Sequence, residues 1–109
     1  MIIVTTPDIS THQITEVLGI VRGSTVRARH AGQDFLAGFK NIMGGEITQY
    51  TQLLATSREE SLRRMSEDAM RLGADAIVNV RFTTSAVAQG AAEILVYGTA
   101  VKLAESYTN

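Results

Sequence analysis

Two histidines and no cysteine are what this 109-residue chain offers to metal and nucleophile chemistry. Without cysteine there is no disulfide, no thiolate ligand and no thiol nucleophile. His30 and Asp34 stand four apart, so they share one face if a helix begins early enough to hold both. An imidazole and a carboxylate so placed suit a divalent metal bound weakly through N and O. The same pair also reads as a loop histidine followed by an acid near the positive end of a helix dipole. His12 lies between Thr11 and Gln13 in a polar loop and is a weak ligand candidate. Gly44-Gly45-Glu46 opens a helix much as a phosphate cradle does. No Lys or Ser/Thr stands at P-loop spacing, and Glu46 would repel a phosphate, so a tight helix-to-helix turn is the better reading. Arg22, Arg27 and Arg29 form a local basic cluster, but no aromatic residues interleave to stack on bases. Met43, Met65 and Met70 fall on or beside helix stripes, where methionine fills core. No histidine falls in a motif with a nearby Ser and acid, so no nucleophile-base-orienter set supports an enzyme.

The elements that must position these residues follow from periodicity. Met1 to Thr5 is short and β-branched, a strand ended by the turn chemistry of Thr6-Pro7-Asp8. Ile14 to Arg22 reads as a second strand, with Val17 and Val21 on one face, Leu18 and Ile20 on the other, and Gly19 marking a bulge or a close backbone approach. Helical spacing of Phe35, Leu36, Phe39 and Ile42 predicts a short helix over Gln33 to Met43. A long helix follows the Gly44-Gly45 turn. Its apolar stripe is Ile47, Tyr50, Leu54, Ser57, Ser61, Met65, Ala69 and Leu72, widened by Leu53 and Leu62. The opposite face is charged, a solvated surface with acid-first pairs Glu59–Arg63, Glu60–Arg64 and Glu67–Arg71. Gly73 is placed to cap the helix.

Ala76 to Ser85 alternates as a strand, with Val78, Val80 and Phe82 on one side and Asn79, Arg81 and Thr83 on the other. Gln89-Gly90 sits at a hairpin tip with loose alanine-rich flanks, and Glu93 to Leu103 is the last strand, apolar on both faces. The tail from Ala104 is polar.

Strand pairs around a helical segment imply one α+β domain, a small antiparallel sheet with a short and a long helix on one face. One helical layer cannot cover both faces of strands that are apolar on both sides, so self-association is expected. The net charge of −1 points to neither nucleic acid nor an anionic membrane. Met1-Ile2-Ile3-Val4 lacks the features of a signal peptide, and no apolar run has membrane-spanning length, so a cytoplasmic location is expected.

In the combination of Gly44-Gly45-Glu46, Tyr50, Arg58, Gly73-Ala74-Asp75-Ala76-Ile77-Val78 and Gly98-Thr99-Ala100-Val101, the chain resembles the YbjQ family. Thr5-Thr6-Pro7, the segment from Gly19 to Gly23, Asp34-Phe35 and Ala37-Gly38 fit as well, so the resemblance runs from about residue 2 to 103. The family is uncharacterised and carries a heavy-metal-binding label. Membership implies a dodecin-like α+β subunit, assembly into a pentameric ring, and no activity to carry over. In such a ring the copies of His30 and Asp34 could converge on the axis, yet His30 belongs to no motif of the family, so the label does not transfer to it. Tyr50 and Arg58 do belong to the pattern. One reading has Tyr50 lining a pocket at a subunit boundary and Arg58 binding an anion there. The other has Tyr50 packing under the glycine turn and Arg58 holding a carboxylate such as Asp75. The functional expectation is a homo-oligomeric ring acting as a binding or scaffold module. Its alternatives are a metal-binding protein with low-affinity O/N ligands and, third, an enzyme whose site is shared between subunits.

Overall fold

The computed structural model describes residues 1–28 and 45–105. Among them the elements run β1 (Ile2–Ile3), β2 (Ile14–Ala28), α1 (Gly45–Arg71), β3 (Ala76–Ala88) and β4 (Ala91–Leu103). The short helix expected over Gln33 to Met43 lies outside the described residues. The strands form one four-stranded sheet in the order β1-β3-β4-β2. β4 pairs antiparallel with β2 and with β3, while β1 joins β3 in parallel, so the sheet is mixed rather than purely antiparallel. The fold class is α+β, as the pattern implied.

α1 lies on one face of the sheet. Ser57, Ser61, Met65 and Ala69, each four residues apart, are its buried line. They meet Val21, Ile77, Val80, Val96 and Ala100, with Leu18 and Leu62 at the margin. The contact is unusually close at Gly23. A Cβ built there would lie 2.1 Å from the Ser61 carbonyl oxygen and 2.6 Å from the Met65 nitrogen. Only glycine lets strand and helix backbones approach so far. Beside it, the buried Thr25 hydroxyl shares a 3.1 Å hydrogen bond with Ser61 Oγ and lies 3.3 Å from the Ser57 carbonyl. Ser61 Oγ also donates to the Ile94 carbonyl at 3.2 Å, and Ser57 Oγ donates back to Leu53 within the helix. Small hydroxyl residues thus fill the narrow gap and satisfy one another, as buried polar groups must.

The helix ends as the position of Gly73 predicts. Gly73 has φ +76°, its N–H bonds the Met70 carbonyl, and the Ala74 N–H bonds the Ala69 carbonyl. This is the paired bond pattern of a Schellman cap. Leu72, read as the last member of the apolar stripe, is instead exposed, because the stripe turns away with the cap.

Two bulges redraw the faces read from strict alternation. In β2 the register slips between Val17 and Gly19, and Gly19 has φ +129°. Leu18 and Val21 therefore both face the helix, while Val17 and Ile20 face away; alternation had paired Val17 with Val21 and Leu18 with Ile20. In β3 the register slips between Val78 and Arg81, and Asn79 has φ +55°. Val78 joins the outer-face cluster and Val80 the helix-face cluster, although alternation placed them together. The strands also extend further than expected: β2 continues past Arg22 to Ala28, and β3 and β4 run to the hairpin tip at Gln89-Gly90.

The outer face is covered only at one end. There Ala76, Val78 and Val101 are buried beneath Ile2, Val4, Ile9, Ile14 and Leu103. Beyond that cluster, Val17 and Ile20 are 67% and 73% exposed.

Because the approach at Gly23 leaves no room for a side chain, Gly23→Ala will lower the urea-unfolding free energy by about 1–3 kcal/mol or abolish folding. Ser24→Ala, on the neighbouring outward position, should stay within about 0.5 kcal/mol of the parent.

Candidate functional site

The charged face of α1 does two things. Part of it is a helix-surface network. Arg63 bonds Glu60 and Glu67, one turn to either side, and Arg64 Nε reaches Glu60 at 3.2 Å. Glu60–Arg64 forms as read. Arg63 chooses Glu60 and Glu67 over Glu59, since it can bridge two carboxylates at once, and Arg71 pairs with Asp68 at 3.4 Å instead of Glu67. The hydrogen bond from Arg63, with the positive charges of Arg63 and Arg64, holds the Glu60 carboxyl below its ordinary range, and Glu60 in turn raises Arg63.

The other part binds backbone. β2 is an edge strand, and its outward groups need partners. Asp68 Oδ2 accepts the Arg22 N–H at 3.2 Å, and Arg64 Nη1 donates to the Ser24 carbonyl at 2.7 Å. These residues border an open groove of about 680 Å³ between α1 and the β2 edge, lined also by Ile20 and Leu72. The face read as merely solvated thus also guards the edge.

The motif Gly73 to Val78 has a structural role. Asp75 Oδ2 accepts the Leu103 N–H at 2.9 Å, the Asp75 N–H bonds the Val101 carbonyl, and Lys102 Nζ donates to the Gly73 carbonyl at 2.8 Å. Asp75 is therefore engaged at the end of β4 and is not the partner of Arg58. Arg58 is exposed and makes no hydrogen bond or ion pair with another described residue. Tyr50 is half-buried on the same helix, about 12 Å away along its axis. The structure places the two on one element without bringing them together.

His30 and Asp34 lie outside the described residues. His12 sits in a turn, its Nδ1 2.8 Å from Thr11 Oγ1, beside a concavity of about 290 Å³ that Asp75 and Glu105 also line. Among the described residues no group of three or more His, Asp or Glu side chains is placed to hold a metal ion. Nor is any described helix long and apolar enough to cross a membrane.

What periodicity missed is on the outer face. Tyr97 is the register partner of Arg22 on β2 and of Arg81 on β3, so a tyrosine stands between two arginines across three strands. The Asn79 bulge creates that row by shifting Arg81 into line. The Asn79-Val80 pair opposite Gly98 was its only sequence trace, and alternation hid it.

Comparison with known proteins locates the chain among relatives. A family model described as "Putative heavy-metal-binding" matches residues 1–104. The UPF0145 protein of Photobacterium profundum is 60% identical over 103 residues, covering 94% of this chain and 100% of that one. The UPF0145 protein of Archaeoglobus fulgidus is 57% identical, covering 94% and 95% of the two chains, and that of Pyrococcus furiosus is 56% identical, covering 93% and 89%. A crystal structure of a DUF74-family protein of unknown function from Pediococcus pentosaceus superposes with a TM-score of 0.66, over 95% of this chain and 98% of that one. At 16% identity that likeness shows the fold.

The lowered Glu60 value has a directional consequence. Its ion pairs stabilise the fold above the unfolded-state value of a glutamate and are lost as pH falls through the lower folded value. The small melting difference between the parent and Glu60→Gln at about pH 7 should therefore close below about pH 4, and shrink in high salt.

Proposed function

This chain belongs to the YbjQ family, and we propose that it works as a homo-oligomeric, pentameric ring serving as a binding or scaffold module. One observation carries the reading. α1 covers one face of the sheet, the N-terminal cluster covers one end of the other, and the remainder leaves Val17 and Val26 exposed. Apolar residues gathered on one face call for a partner surface. A second copy of the chain is the partner that needs no further component, and a head-to-tail contact that closes gives cyclic symmetry. Tyr50 and Arg58 then serve as binding residues at a subunit boundary. Arg58 suits that role because its guanidinium is uncommitted among the described residues.

The family's heavy-metal description supports a second reading less well. The chain has no cysteine, and the described residues hold no cluster of metal ligands. A divalent metal would rest on His30 and Asp34, with the low affinity of a single imidazole and carboxylate per subunit unless copies converge.

Native mass spectrometry of untagged protein should show one species with the mass of five subunits, and Val17→Asp should reduce it to monomer with the far-ultraviolet circular dichroism retained. A parent that is monomeric at high micromolar concentration overturns the ring. For the metal reading, the melting temperature in saturating Zn²⁺, Ni²⁺ or Cu²⁺ should rise and the rise should vanish in His30→Ala; no rise with any of the three ends it.

A further inference from the structure

The outer face carries a concavity of about 350 Å³, lined by Ile20, Asn79, Arg81, Tyr97, Gly98 and Thr99. That is the size of a pocket for a small organic molecule. Its arginine is held in place before any ligand arrives. Arg81 Nη1 donates to the Thr5 carbonyl and to the Val80 carbonyl, both at 2.9 Å. One nitrogen anchors the guanidinium, and its Nε and Nη2 bond no described residue. Asn79 holds a left-handed backbone conformation, and it is the one described residue other than glycine with positive φ. That conformation is fixed from outside: the Asn79 N–H bonds the Thr6 carbonyl and the Val80 N–H bonds the Val4 carbonyl. The same N-terminal segment therefore pins both the bulge and the arginine. The Asn79 amide bonds no other described residue, and no carboxylate lines the pocket. Tyr97 and Ile20 supply flat and branched apolar walls.

We infer that this pocket binds a small carboxylate with a flat apolar body. Arg81 supplies a fork of donors to the carboxylate and Asn79 an amide donor, while the body lies against Tyr97 and Ile20. A guanidinium with free paired N–H groups recognises a planar carboxylate in two-pronged fashion. All the lining residues belong to one chain, so the site does not rest on the ring.

The test uses the full chain with benzoate as probe and benzamide as its neutral counterpart, followed by amide NMR shifts. Benzoate should give saturable shifts centred on Asn79, Arg81 and Tyr97, with a Kd on the order of 1 mM as expected for so small a probe. Benzamide should give none. Asn79→Gly relieves the backbone conformation, so it should melt no lower than the parent while binding benzoate about threefold to tenfold more weakly. Arg81→Gln should abolish binding. Absence of saturable shifts, equal binding of benzamide, or undiminished binding by a folded Asn79→Gly and Arg81→Gln overturns the site. Native mass spectra of the same samples separate the two readings. Benzoate binding to a monomer leaves the pocket standing without the ring, and a ring that ignores benzoate does the reverse.

Discussion

The rest of the structure depends on how closely one helix approaches one strand. At Gly23 the backbone of β2 lies against the backbone of α1 at Ser61 and Met65, with no room for a methyl group. That approach sets the gap everywhere else on the helix face. Serine at 57 and 61, threonine at 25 and alanine at 69 and 100 are the residues that fit it. Larger side chains are kept for Met65 and for the sheet residues between the elements. Bringing hydroxyls into this gap desolvates them, and the chain answers with the Thr25–Ser61–Ile94 bonds, each of the kind that contributes about 1 kcal/mol net. The helix position then determines which charged residues reach the β2 edge, so Arg64 and Asp68 can bond Ser24 and Arg22.

A second constraint is the pair of bulges. Each inserts an extra residue and reverses the alternation beyond it. In β2 the reversal lets Leu18 and Val21 share the core while Val17 and Ile20 are turned outward. In β3 it divides Val78 from Val80 and brings Arg81 beside Tyr97. The outer face thereby becomes a mixture of apolar surface and arginine. The Asn79 bulge depends on N-terminal carbonyls for its hydrogen bonds, so the first residues of the chain shape a site far along the sequence.

The family motifs take on a structural meaning in this light. Gly73 ends the helix, Asp75 holds the end of β4, and Lys102 closes on Gly73. These residues join helix to sheet, so their part in this chain is to hold the fold. A heavy-metal role draws no support from them, since among the described residues Asp75 joins no group of three or more metal-ligating side chains.

Much of the architecture was legible in the residues themselves. The i, i+4 line of Ser57, Ser61, Met65 and Ala69, the Gly73 cap and the Gln89-Gly90 tip are local patterns, and local backbone physics is enough to produce them. So too was the imbalance of one helical layer against strands apolar on both faces, because it is a matter of counting surfaces. The β2 bulge was marked in the sequence by Gly19 in mid-strand, but where the Asn79 bulge falls, which face each β2 and β3 residue occupies, and that Arg81 stands beside Tyr97 were decided only by tertiary structure. A bulge is a choice between neighbouring registers that differ by one residue. What selects it here is packing and hydrogen bonding from distant segments: α1 against Gly23 for one strand, and the carbonyls of Val4 and Thr6 for the other.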